Sequence, residues 1–123
     1  MLYSQIRMPT VFVIARDWML RSGVRAELRE RGVEALGMES VADAERAIAG
    51  GTMPAAVVVD ADDAPAAGVN ALDAIARRAP MLVIASRMAA GAAPPNAADV
   101  LARPITVGEI VARVLKLLEG TPA

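Results

Sequence analysis

The sequence contains no cysteine and no histidine among its 123 residues. These two absences exclude disulfide bonds, thiolate zinc sites, cysteine nucleophiles and every catalytic arrangement that depends on a histidine. No GxxxxGK[ST], GxGxxG or GxSxG motif occurs, so nucleotide-binding, dinucleotide-binding and hydrolase functions have no motif support. We therefore expect a domain that is not an enzyme.

Aromatic residues and lysines are also scarce. The aromatic side chains are Tyr3, Phe12 and Trp18, and Lys116 is the sole lysine. A core built from small Ala and Val side chains suits helices packed closely on a sheet. The net charge of −1 predicts no nucleic-acid surface, and the arginine clusters lack interleaved aromatic residues. No apolar run is long enough for a membrane span, and residues 1–9 lack a signal-peptide core, so we expect a cytoplasmic protein.

Apolar runs alternate regularly with amphipathic segments along the chain. Five runs predict buried strands, at residues 11–14, 33–38, 55–59, 81–85 and 100–102. Four segments predict helices, at residues 18–31, 40–49, 67–78 and from the capping-box pattern at Thr106 onward. Asp17 and Ser40 are expected to cap the first two helices, and Gly32 to end the first. This alternation predicts an α/β fold, a three-layer α/β/α sandwich around a five-stranded parallel sheet.

One break in the alternation lies between the fourth and fifth strands. Gly91 and the Pro94-Pro95 pair interrupt residues 87–98, where a helix is expected. Proline removes a backbone donor and clashes with the preceding turn, so the fourth helix is predicted to be short or missing. We expect one domain at residues 9–120, an N-terminal extension at residues 1–8 and a C-terminal tail at residues 121–123.

A carboxylate stands where the third strand ends. Asp60 follows the apolar run, and the loop after it carries Asp62, Asp63 and Pro65. Ligands collect at the carboxyl ends of parallel strands, so Asp60 is a candidate phosphoryl acceptor, metal ligand or general base. The alternative is a carboxylate in an ion pair at the strand end. For Asp62 and Asp63, an Asx-type turn leading into the next helix is the expected role.

These anchors resemble the receiver domains of bacterial response regulators, which have a flavodoxin-like fold and act in two-component (phosphorelay) signal transduction. Asp60 occupies the phosphoacceptor position, Gly68 the loop glycine and Arg103-Pro104 the place of a Lys-Pro pair. The resemblance covers roughly residues 9–120. It implies a protein partner, either a histidine kinase or a downstream regulator, and no contact of this domain with nucleic acid or membrane.

The residues that hold Mg²⁺ in receivers are replaced here. Their acidic pair falls on Ala15 and Arg16, with Asp17 one position too late. Mg²⁺ requires carboxylate oxygens, whereas Arg16 adds a fixed positive charge, and we expect Asp60 to be held between Arg16 and Arg103. No metal is therefore expected. If one binds, the ligands are Asp17, Asp60 and Asp62.

The residues that switch a receiver are replaced as well. The position of the receiver Thr or Ser falls on Ala85, and the aromatic switch position falls on Val100. Ser86 is either a displaced pocket hydroxyl or a helix N-cap. Trp18 is either an interface anchor or a partly buried residue at the start of the first helix.

The resemblance therefore predicts a degenerate receiver, or pseudo-receiver, that signals by protein contact. The alternative is a functional receiver that a partner histidine kinase phosphorylates on Asp60, which would require Mg²⁺. A flavodoxin-like fragment of a larger enzyme is a third interpretation, which the complete alternation disfavours. We expect a partner, or a second copy in a homodimer, to dock on the last helix and last strand, against Ile105, Val107 and Val111, with residues 91–98 forming part of that face.

Overall fold

The computed structural model of the protein describes residues 9–62, 68–86 and 93–120. The predicted extension at residues 1–8 and the predicted tail at residues 121–123 lie outside them, as do Asp63, Pro65 and Gly91. Within the described residues the strands are β1 (Thr10–Ile14), β2 (Glu34–Met38), β3 (Ala56–Asp60), β4 (Met81–Ala85) and β5 (Asp99–Ala102). The helices are α1 (Trp18–Glu30), α2 (Val41–Ala49), α3 (Gly68–Ala76) and α4 (Val107–Glu119).

The strands form one parallel sheet in the order β2-β1-β3-β4-β5. This confirms the predicted fold class, because all five strands run parallel and helices cover both faces of the sheet. The chain reverses its direction of travel across the sheet between β1 and β3. Ligand sites of doubly wound folds lie at such a switch point, outside the carboxyl ends of the strands.

Each face of the sheet carries its own apolar core. Phe12, Val57 and Val83 point to the layer formed by α2 and α3. Val13, Val58 and Ile84 point to the layer formed by α1 and α4. Because side chains alternate along a strand, this continuous burial requires apolar residues at every position, as the sequence supplies.

Side-chain caps define the starts of three helices, as the sequence predicts. The carboxylate of Asp17 accepts from the Met19 backbone N–H at 3.0 Å, and Ser40 Oγ accepts from the Asp43 N–H at 3.2 Å. Thr106 Oγ1 accepts from the Glu109 N–H at 3.1 Å. Each cap satisfies a backbone donor that has no partner inside its helix.

Several predicted boundaries differ from the structure by one or two residues, and local turns end two of the helices early. α1 ends at Glu30, and the Val33 N–H bonds to the Leu28 carbonyl, so β2 begins at Glu34 rather than at residue 33. Gly32, with a φ of 78°, makes the turn between them. α3 ends at Ala76, two residues earlier than predicted, because a turn leads into Pro80 and the residue before a proline disfavours helical geometry.

Hydrogen bonds to α3 hold part of the segment in which the fourth helix is predicted to be short or missing. Described residues 93–98 are not helical, and residues 87–92 lie outside the description. Asp73 on α3 is buried and accepts from the Asn96 backbone N–H at 3.0 Å and from the Asn96 side-chain amide at 3.1 Å. The backbone hydrogen bond of Asn96 is the largest cause that lowers the pKa of Asp73. The Asn96 amide and Arg77 act in the same direction, and burial opposes them.

Among the described residues, no helix combines the length and the apolar character that a membrane span requires.

Candidate functional site

The candidate site centres on an ion pair between a buried carboxylate at the end of β3 and a partly exposed arginine after β5. Asp60 is the last residue of β3 and only 2% exposed. Arg103 follows β5 and reaches past the end of β4 to meet it. Its guanidinium forks onto both carboxylate oxygens, with Nη1 at 3.1 Å from Oδ1 and Nη2 at 2.5 Å from Oδ2. Two parallel charge-assisted hydrogen bonds of this kind fix the orientation of both groups. The predicted pairing of Asp60 with Arg103 is therefore present.

Asp62 extends this pair into a network that joins three strands. Its backbone N–H donates to Asp60 Oδ1 at 3.0 Å, which makes Asp60 itself the acceptor of an Asx-type turn. Its carboxylate accepts from Arg103 Nη1 at 2.7 Å and from the Ser86 backbone N–H at 3.1 Å. The carboxyl ends of β3, β4 and β5 are thus tied together through two carboxylates and one guanidinium.

The end of β1 contributes no charge to Asp60. Ala15 is buried, whereas Arg16 lies exposed in the bend that leads into α1. Among the described residues Arg16 forms no ion pair with Asp60, so the prediction that Arg16 holds this carboxylate is wrong. The reason is local, because α1 begins immediately after this bend and Asp17 is engaged as its N-cap. The sequence-based choice of Asp17 as a metal ligand competes with this capping role.

Arg21, which the sequence reasoning missed, contacts the backbone at the end of β1. Arg21 Nη1 donates to the Ala15 carbonyl at 2.6 Å, and its side chain is 14% exposed. Its stem crosses Gly37 of β2, where an added Cβ would lie 2.9 Å from Arg21 Cδ. The glycine in a predicted strand was the available signal, because such a glycine marks a close approach.

The chain superposes on solved structures of response regulators. A response regulator from Thermotoga maritima superposes with a TM-score of 0.75 at 17% identity, covering 92% of this chain and 99% of that chain. A response regulator receiver protein from Burkholderia phymatum gives 0.73 at 21% identity, over 94% and 98% of the two chains. An orphan response regulator of H. pylori gives 0.72 at 21% identity, over 89% and 96%. The chain has the receiver fold. No protein-family model matches the sequence, and a search of curated proteins finds no match either.

The residues around Asp60 do not fit a Mg²⁺ ion. Each of the four carboxylate oxygens of Asp60 and Asp62 already accepts a hydrogen bond. The end of β1 offers the methyl group of Ala15 where a receiver has a carboxylate. Among the described residues, no three acidic side chains form a cluster that could hold a metal ion. Mg²⁺ requires six oxygen ligands in near-octahedral geometry. Here the Arg103 guanidinium lies between the carboxylates of Asp60 and Asp62, where such an ion would have to bind.

The positions that switch a receiver carry small or exposed side chains. Ala85, at the end of β4, is fully buried and has no hydroxyl. Val100 on β5 is 37% exposed and has no ring that could rotate. Ser86 contributes its backbone N–H to Asp62. The residues that would follow it in a predicted helical turn lie outside the described part of the chain.

The predicted docking residues of the last helix point mainly inward. Val111 is 1% exposed and belongs to the core beneath α1 and α4, and Ile105 and Val107 pack against that core. Val107 also meets α1 at Gly23, where an added Cβ would lie 3.2 Å from Val107 Cγ2. The prediction that a partner docks on Val111 is therefore wrong, because α4 uses this stripe to cover the sheet.

Exposed apolar side chains lie elsewhere on the described surface. Val100 and Ala102 of β5 are exposed, and their register partners Val83 and Ala85 place them on the sheet face that carries α2 and α3. Trp18 is 67% exposed and Met19 is 75% exposed at the start of α1. The predicted alternative of a partly buried Trp18 is thus wrong, while its role as an interface anchor stays a prediction.

Proposed function

We propose that this protein is a receiver-like domain of two-component signalling that works by protein contact, without Mg²⁺-dependent phosphorylation. The observation that carries this proposal is the fork of Arg103 on the buried carboxylate of Asp60. In a phosphorylated receiver that carboxylate must accept a phosphoryl group while a divalent cation neutralises the incoming oxygens. Here both carboxylate oxygens are engaged by a guanidinium, and Asp62 is engaged with them.

The proposed partner is a histidine kinase or a downstream regulator, and the domain presents it with a fixed surface. Exposed Val100 and Ala102 on β5 are the apolar part of the last strand that such a partner could cover. The sequence-based homodimer through the last strand and last helix stays a prediction, restricted by the burial of Val111.

A second candidate function is a working receiver that is phosphorylated on Asp60 by a partner histidine kinase. The buried carboxylate at the end of β3 in a receiver fold favours it. This function would require Arg103 to leave Asp60 and a metal to enter with water ligands. The loss of the guanidinium is costly, because it leaves a buried carboxylate without a cation.

A phosphoaspartate mimic separates the two candidates. The protein is titrated with Mg²⁺ alone and then with Mg²⁺ and beryllofluoride, while amide NMR shifts of Asp60, Asp62 and Ser86 are followed. We expect no saturable shift at these amides. Saturable shifts in the wild-type protein would overturn the proposal and support the working receiver.

A matched variant serves as the positive control. Ala15→Asp, Arg16→Asp and Arg103→Lys together restore the acidic pair and the lysine of the receiver pattern. We expect this triple variant to gain Mg²⁺-dependent shifts, because Ala15→Asp adds a carboxylate at the end of β1, Arg16→Asp removes a nearby positive charge and Arg103→Lys removes the fork.

A further inference from the structure

Within the described part of the chain, the sheet has two edge strands, β2 and β5. Each has a neighbouring strand on one side only, so about half of its backbone N–H and C=O groups point away from the sheet. A row of such groups can pair with a strand of another chain, which leads to strand addition or aggregation. The side chains that bind these outward groups therefore determine whether another chain can use either edge.

On β2, an arginine from α1 binds an outward carbonyl group. The backbone groups of Glu34 and Met38 bond to the residues that flank β1. Because the groups of a parallel strand alternate in direction, those of Ala35 point away from β1. Arg25 Nε donates to the Ala35 carbonyl at 3.2 Å. The stem of Arg25 packs against Gly37, where an added Cβ would lie 2.9 Å from Arg25 Cδ, so the guanidinium is held at this edge.

On β5, a carboxylate binds an outward N–H group. The N–H of Arg103, directly after the strand, donates to the Ala85 carbonyl of β4. By the same alternation, the backbone groups of Val100 point away from β4. The Val100 N–H donates to Asp99 Oδ1 at 2.9 Å. Asp99 Oδ2 accepts from Arg113 on α4, so this carboxylate uses both of its oxygens.

We propose that Arg25 and Asp99 block the two open edges of the sheet against strand addition by another chain, including a second copy of this one. An outward group that already bonds to a charged side chain must lose a charge-assisted hydrogen bond before it can pair with a new strand. Pro104 continues the outward row after β5 and has no N–H to offer. The block concerns backbone groups, so the side chains of Val100 and Ala102 stay accessible to a partner that covers the sheet face.

The test measures self-association of the full chain by sedimentation velocity over a range of protein concentrations. Arg25→Met keeps an apolar stem and removes the donor, and Asp99→Ala removes the acceptor. Each variant should associate at concentrations at least about tenfold lower than the wild type does, because a backbone group becomes available for pairing. The infrared amide I spectrum of the associated protein should show added intermolecular β-sheet.

Matched variants separate the block from the loss of a charge. Arg29→Met removes the same charge from the exposed surface of α1. Arg113→Met breaks the ion pair on α4 but leaves Asp99 to accept from Val100. Both should sediment like the wild type. In Asp99→Ala/Ala102→Pro, the proline removes another outward N–H of β5, so association should return to the wild-type level. A variant that associates only because it unfolds would not be rescued by a proline.

Several outcomes would overturn the proposal. The first is that Arg25→Met and Asp99→Ala sediment like the wild type, and an effect at one edge only would overturn the role of the residue at the other. Equal association of Arg29→Met or Arg113→Met would show that the loss of a charge or of an ion pair is sufficient. Association of Asp99→Ala/Ala102→Pro at the level of Asp99→Ala, or without added intermolecular β-sheet, would exclude strand pairing as its cause.

Discussion

Removing Arg103 should destabilise the fold far more than removing an ordinary surface arginine. Arg103→Met leaves the carboxylate of Asp60, which is 2% exposed, without its guanidinium. Breaking a fully buried pair costs about 3–5 kcal/mol. Arg103 is 35% exposed, so water partly replaces it, and the Asp62 N–H still donates to Asp60. We therefore expect a loss of about 2–3 kcal/mol in the free energy of unfolding, or a fall in Tm of roughly 8–12 °C for a domain of this size.

A double-mutant cycle isolates the pair from the individual side chains. Asp60→Asn/Arg103→Met removes both charges. The loss of stability in this double variant should be smaller than the summed losses of the two single variants by about 1.5–2 kcal/mol. Arg113→Met is the matched control, because Arg113 pairs with Asp99 where both are partly exposed, and we expect it to cost at most about 1 kcal/mol.

Urea unfolding followed by far-UV circular dichroism is the suitable measurement. Trp18 is already 67% exposed, so its fluorescence reports poorly on the loss of the core. If the two single variants and the double variant are additive within about 0.5 kcal/mol, the fork contributes nothing as a pair and the reasoning about this pocket fails.

Three further predictions concern residues outside the pocket. Since the pKa of Asp73 is lowered in the fold, its stabilisation is present above its ordinary value of 3.8 and lost as pH falls through the folded value. The stability difference between wild type and Asp73→Asn should therefore shrink in acid titrations. A difference independent of pH would contradict the stabilising role of the hydrogen bonds between ionised Asp73 and Asn96. Gly37→Ala should destabilise by about 1 kcal/mol, since its Cβ would meet the Arg21 and Arg25 stems at 2.9 Å. Gly108→Ala, where the nearest atom is 3.9 Å away, should be neutral or stabilising by about 0.5–1 kcal/mol in the same melts.

Local sequence signals were sufficient for the layers of the fold. The apolar runs predicted all five strands because both faces of a parallel sheet are buried, and no competing pattern of that length occurs. Caps were equally readable, as Asp17, Ser40 and Thr106 each act on a backbone donor two or three residues away. The boundaries that moved were set by turns, whose hydrogen bonds depend on where the helix axis meets the next strand.

Side chains that meet across the fold were harder to predict. Asn96 binds Asp73 from 23 residues away, and neither residue carries a local pattern that announces the other. The pairing of Arg103 with Asp60 was predicted because the receiver resemblance places both at carboxyl ends of strands in one sheet. The same resemblance suggested Arg16 for the pocket, but Arg16 lies in the bend between β1 and α1, where its side chain is exposed to solvent.

Asp60 therefore identifies the fold more firmly than it identifies a phosphorylation site. A carboxylate is stable in a buried position when hydrogen-bond donors compensate its charge. Here Arg103 and the Asp62 N–H donate to Asp60, and no phosphoryl group is needed for this. Two carboxylates and one guanidinium give this pocket a charge of about −1, and an added phosphoryl group would bring it to about −2. Because the end of β1 supplies no carboxylate for a divalent cation, nothing on that side offsets the added charge. The cost of this charge in a buried site is the physical reason to expect that the neighbours of Asp60 prevent its modification.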